Sequence, residues 1–299
     1  MMFWTAVLWM VLGGGVSHAQ FRSDEGVVQF LAPSSSGKIQ LFWVRGRVVP
    51  WGGGTVAVWA SSSSGKKAVA SAAVKQSAEL WKAKWPATGH RLELEVLPGL
   101  GAPNRLVAPL TLLFSSFVTG ATVDSSFAVT GFVDEEGNLK ALANQEVEEV
   151  LRAAILAKIG HVALPMGNHA DLEDILAAGG YQGLLRMQVF GVTRVPEFRG
   201  LGLKEEGTSQ SSATLAAFER VRQERFGAGF STRTLKAVPT RDALREVVIL
   251  DPTHLSAQLL LAASEGRAPS SLSLAGSLAR LHPYADVAQS SRSSDSQLA

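Results

Sequence analysis

Residues 146–192 read EVEEVLRAAILAKIGHVALPMGNHADLEDILAAGGYQGLLRMQVFGV, and this stretch decides the fold class. Its periodicity predicts a helix over 146–160, a short apolar strand over 161–165 (HVALP), a second helix over 169–180 and a strand over 184–192. Outward from it the alternation continues. SFAVTGFVDEEGNLKAL (126–142) reads as a strand pair, LVAPLTLLFSSFVTG (106–120) as a mostly buried helix, and RLELEVLP (91–98) as a half-buried strand with Leu92, Leu94 and Val96 on one face. AVASAAVKQSAELWKAKW (68–85) has helical spacing and stops at Pro86. Val27 to Ala60 holds apolar runs broken by PSSSGK and PWGGG, the pattern of short strands in a meander. Beyond Pro196 only amphipathic helical segments are expected, among them VVILDPTHLSAQLLLAASEG (247–266), which resembles a junction between tetratricopeptide repeats. Strands alternating with helices mean α/β or α+β layers; the expected class is α+β with a helical C-terminal extension.

Composition bounds the chemistry. The chain has 299 residues and no Cys, so disulfide frameworks, thiolate catalysis and Cys-based zinc or iron–sulfur sites are excluded. Lys+Arg at 28 against Asp+Glu at 26 is too balanced for an electrostatic footprint on nucleic acid. Trp43, Trp51, Trp59 and Trp81 therefore read as packing residues. His161, His169, His254 and His282 show no metal-ligand spacing, and neither a metal nor a cofactor is expected. Gly37-Lys38 and Gly65-Lys66 follow serine-rich loops but lack the spacing of a phosphate loop.

Residues 1–19 form an uncharged segment whose apolar run ends at Gly13-Gly14-Gly15, short of a membrane span; Ser17-His18-Ala19 then supplies small residues where a signal peptidase cleaves. An export signal with a periplasmic or extracellular mature protein is the expectation, an uncleaved membrane anchor the alternative. The chain divides into this signal, a domain over 20–200 with N-terminal strands over 20–60, a helical extension over 201–285 and a polar tail over 286–299.

Several phrases between residues 75 and 198 carry a family resemblance. They are VKQSAEL (74–80), Ala128-Val129-Thr130-Gly131 with Gly137 following, and AAILAKIGHVALP (153–165) with Asn168 and DLEDI (171–175). VFGVTRVPEF (189–198) closes the series. In this order they resemble the proteolytic domain of the Lon family, whose "A-A-x-x-A-G-I-x-x-V-L-I-P…N…D-L-x-x-I" run is matched without a gap. The resemblance implies a Lon-like arrangement of short sheets and helices, often assembled as rings, and a Ser nucleophile served by a neutral Lys.

The positions that would carry this chemistry are occupied otherwise. Where the resemblance puts the nucleophile, counting forward reaches Val107 and counting backward reaches Arg105; the segment between Arg91 and Pro109 holds no Ser or Thr. Where it puts the Lys, the two counts reach Glu146 and Glu148. A Ser–Lys mechanism fails at both ends. The remaining polar groups read as structural: Ser115 and Ser116 inside a helix, Lys140 and Lys158 in solvent, and Glu146, Glu148 and Glu149 with Arg152 as an acidic helix start. The expectation is a pseudoprotease that binds or assembles with a protein or peptide. An ATP-independent serine endopeptidase using Ser115 or Ser116 and a tetratricopeptide-type adaptor are the alternatives.

Overall fold

The computed structural model describes residues 25–50, 57–61, 76–77, 90–177, 181–204 and 210–266. The expected export signal, Trp51, Trp81, His282, the polar tail and most of the helix expected over 68–85 lie outside these residues.

The chain opens with β1 (Glu25–Pro33) and β2 (Ile39–Pro50), an antiparallel hairpin closed by a turn in which Gly37 takes φ 82°. This turn is what the Gly37-Lys38 pair forms. Strands β3 (Ala57–Ser61) and β4 (His90–Val96) follow. A 3-10 turn at Pro103–Leu106 leads into α1 (Val107–Thr119), then β5 (Thr122–Val123), β6 (Phe127–Val129), β7 (Phe132–Val133) and β8 (Leu139–Lys140). Next come α2 (Asn144–Leu156), β9 (His161–Pro165), α3 (His169–Ala177), α4 (Tyr181–Arg186) and β10 (Gln188–Val192). The described residues end in α5 (Glu197–Gly202), β11 (Leu203–Lys204) and four helices, α6 (Gln210–Phe226), α7 (Thr232–Lys236), α8 (Val238–Leu250) and α9 (Leu255–Ser264). Among the described residues no helix is long and apolar enough to cross a membrane.

Seven strands make one mixed sheet in the order β10-β9-β6-β1-β2-β4-β3, with two small ribbons, β11-β5 and β7-β8, beside it. The mixture of helices and strands expected from the sequence is present. The N-terminal strands are not a meander, however: β2 pairs antiparallel with β4, and β3 lies outside β4 and parallel to it. The expected pair over 126–142 is also resolved differently. Phe127–Val129 joins the main sheet between β1 and β9, both parallel to it, and only β7 and β8 form a hairpin, with Gly137 at φ 84° in its turn. Leu184–Arg186 belong to α4, since β10 pairs with the five residues of β9 and begins at Gln188. A strand also exists beyond Pro196, the two-residue β11 paired with β5.

Alternation along the strands divides the core into two layers. Val28, Phe30, Phe127, Val129, Ala163 and Phe190 face α1, while Leu31, Ala128, Val162, Leu164 and Val189 face α2 and the C-terminal helices. Helix α1 is buried on nearly every side, as its mostly apolar sequence requires, and stops at Gly120 in the left-handed region. It lies close to the sheet because the cross-strand partners Gly26 and Gly46 carry no side chain; a Cβ at Gly46 would sit 2.7 Å from Leu113 and 2.9 Å from Phe117. On the opposite layer Leu244, Val247, Leu255 and Leu259 share a core with β9 and β10, so the helices from α6 onward are built into the sheet's second face. They also close its edge. The Gly191 N–H donates to the Thr253 carbonyl at 2.8 Å and the Val189 N–H to Ser256 Oγ at 2.9 Å.

Helix α2 ends four residues earlier than its periodicity suggests. The N–H of Ile159 returns to the Ala154 carbonyl and that of Lys158 to Ile155, a Schellman motif with Lys158 at φ 58°. In the Lon-family phrase that this segment resembles, the same position carries Gly. A side chain in the left-handed region costs about 1–2 kcal/mol, and glycine's extra unfolded-state freedom offsets part of the relief. Lys158→Gly is therefore expected to raise the unfolding free energy by about 0.5–1 kcal/mol in urea titrations; an unchanged or lower midpoint contradicts the assignment.

Candidate functional site

The four positions singled out by counting separate into one contacting pair and two bystanders. Arg105, in the turn before α1, and Glu146, in the first turn of α2, meet in an ion pair between Nη2 and Oε1. Val107 is the first residue of α1 and is buried; Glu148 bonds Arg152 at 2.9 Å on the outer face of α2, and Glu149 is exposed. The backward count to Arg105 and the count to Glu146 thus identify residues that touch.

The site is filled. Arg105 is only 3% exposed, with its guanidinium carbon 3.6 Å from the centre of the Phe132 ring. Burial lowers its pKa and Glu146 partly restores it. Its Nε and Nη1 find no acceptor among the described residues, so the charge rests on Glu146 and the ring face. Neighbouring contacts hold the two helix starts. Ser77 Oγ donates to the Val107 carbonyl at 3.2 Å, and Gln76 Nε2 to the Asp134 carbonyl at 2.8 Å. Asn168, fully buried, accepts from the Leu142 N–H, donates to the Leu142 carbonyl and donates to Asp171. It clamps the loop that delivers Glu146.

Among the described residues no other candidate gains a reactive neighbour there. Among the described residues Ser115 Oγ is buried without a hydrogen-bond partner and Ser116 Oγ donates to the Ala121 carbonyl, so neither serine has a base among them. Lys140 pairs with Asp134 at 2.9 Å, the hydrogen bond raising the Lys and holding the carboxyl low; Lys158 is exposed. His169 lies 3.9 Å from Glu173. Trp43 is half-buried beneath the Arg45 guanidinium rather than enclosed in the core.

Two histidines that looked scattered in the sequence share the opposite end of the parallel strands. His254 caps α9 by accepting the Ala257 N–H on Nδ1, and Nε2 faces Gln188 Oε1 at 3.0 Å. It lies 4.6 Å from both Phe190 and Phe218. His161, the first residue of β9, holds Nε2 3.1 Å from the Leu201 carbonyl and Nδ1 3.4 Å from Ser126 Oγ. Ser126 in turn bonds Asp124 Oδ1 through both its N–H and its hydroxyl, each at 2.8 Å. Parallel pairing sets His161 beside Phe127 and Gln188, which sequence spacing alone could not reveal.

No protein-family model matches the chain, and no curated protein matches it.

Two outcomes follow from these geometries. Glu146→Ala strands a buried cation and is expected to cost about 3 kcal/mol, whereas Glu148→Ala costs under about 0.5 kcal/mol. Replacing both partners by apolar residues (Arg105→Met with Glu146→Leu) costs less than Glu146→Ala alone, measured by the same titration; equal losses for Glu146 and Glu148 contradict the pairing. Burial also lowers the pKa of His254 to about 3 and that of His161 below the ordinary value. The unfolded chain, with histidines near the ordinary ~6.5, then binds more protons than the folded one, so stability is full above that pH and lost as pH falls below it toward 3. Unfolding free energy is expected to fall through that window by up to about 1.4 kcal/mol per pH unit for each such histidine, and His254→Asn, which keeps a capping side chain, flattens the slope. A slope unchanged by that substitution contradicts the assignment.

Proposed function

We propose that this chain is an exported, Lon-like protein without peptidase activity, acting as a protein- or peptide-binding or assembly module. The observation that carries the reading is the Arg105–Glu146 contact. Peptidase chemistry of the Ser–Lys kind needs a hydroxyl beside a neutral amine in a site open to a peptide. Here the two residues reached by counting are a permanent cation and a carboxylate bound to each other, with the cation almost wholly enclosed. Neither is a hydroxyl or a neutral amine, and the enclosed guanidinium leaves no room for a substrate at its position. The serine-endopeptidase alternative loses support from the enclosure of Ser115 and Ser116.

The test uses the full purified chain with fluorescent unfolded casein. Expected are no release of peptides, together with either casein binding by fluorescence anisotropy or self-association by sedimentation velocity. Casein hydrolysis that Glu146→Ala with Glu148→Ala abolishes overturns the reading, as does a monomer that neither cleaves nor binds.

A further inference from the structure

At the N-terminal ends of β6, β9 and β10, away from the Arg105–Glu146 pair, a cavity of about 390 Å³ is lined by Asp124, Ser126, His161, Gln188 and residues of α6. That volume suits a small molecule. We propose that this cavity is a hydrolytic site for small carboxylic esters, with Ser126 as the nucleophile and His161 as its general base.

The assignment of roles follows from hydrogen bonding. The Leu201 carbonyl can only accept, so His161 carries its proton on Nε2 and presents a lone pair on Nδ1 toward Ser126 Oγ. The carbonyl is the positioning group that holds the ring in this tautomer. Phe127, 5.1 Å away, and Phe190 pack around the ring and keep it from turning. Burial keeps the imidazole neutral at pH 7, as a base must be. The Ser126 hydroxyl rests on Asp124 at 2.8 Å, but that carboxylate is a weak proton acceptor: burial raises its pKa, while the two bonds from Ser126, His161 and Lys204 together bring it below the ordinary value. The proton of an attacking Ser126 therefore goes to His161. The charge of Asp124 then stabilises the imidazolium, since it acts to raise the His161 pKa. Gly160 makes room for the arrangement; a Cβ there would lie 3.3 Å from that of Ser126. Arg186, exposed, also lines the cavity and is the cation assigned to a developing oxyanion.

In the reaction Ser126 Oγ bonds to the acyl carbon as its proton passes to Nδ1. The bond to the leaving alcohol breaks as that proton moves to the departing oxygen. Water, deprotonated by the same nitrogen, then cleaves the acyl-serine, releasing the carboxylic acid and restoring the Ser126 hydroxyl. The proposal stands apart from the non-peptidolytic reading of the Arg105–Glu146 end, because ester turnover and casein cleavage are measured separately and respond to different residues.

The test treats the full chain with a fluorophosphonate probe, maps the labelled peptide, and follows p-nitrophenyl acetate hydrolysis. Label on Ser126 and a loss of about 10²-fold or more in turnover on Ser126→Ala are expected, while Ser125→Ala retains both. His161→Gln, which keeps a donor for Leu201, lowers labelling by a similar factor. In the wild type the rate falls as pH drops through the His161 titration, which Asp124 and Lys204 face directly and His254 faces from behind Phe190. Ser126→Ala and the wild-type pH profile decide the matter even where His161→Gln does not fold. An unlabelled Ser126 in folded protein, or wild-type turnover in Ser126→Ala, overturns the proposal.

Discussion

A guanidinium enclosed in protein must have an anion beside it, because the desolvation of an unpaired cation exceeds what packing can return. In this chain Arg105 begins the helix on one face of the sheet and Glu146 begins a helix on the other. Their contact runs around the ends of β6 and β9 and ties the two layers together. The surrounding bonds serve the same junction. Asn168 fixes the loop before α2, and Ser77 and Gln76 hold the start of α1 and the β7–β8 ribbon against it. Such a junction fixes how the two layers meet at this end of the strands.

The other end of the parallel strands is arranged by different physics. There the buried polar groups are neutral imidazoles, and each is satisfied by a distinct set of partners. His254 has both ring nitrogens engaged inside the protein and works as a cap and as packing. His161 has one nitrogen held by a backbone carbonyl and the other turned toward Ser126 at the cavity. Similar residues at similar depth thus differ in what they can do, and the difference lies in which nitrogen keeps an unengaged lone pair.

Much of the layering was legible in the chain. The mostly apolar sequence of α1, the amphipathic face of α2 and the short apolar run of β9 each required burial of a definite kind, and each is buried that way. What was misread involved neighbours distant in sequence. The order of β2, β4 and β3 depends on which edges meet, and the start of β10 depends on the length of β9. The αL turn at Lys158 was hidden because lysine carries none of glycine's signal for that conformation.

The functional positions divide along the same line. The sequence by itself determined that Cys chemistry is absent and that the two counted positions hold no hydroxyl and no amine, because residue identity alone sets which groups can act as nucleophile or base. Only the tertiary structure decided that Arg105 meets Glu146 rather than Glu148, and that Ser126, His161 and Gln188 share one end of a sheet. Parallel strands joined through helices bring together residues dozens of positions apart, and no local period in a sequence records that pairing.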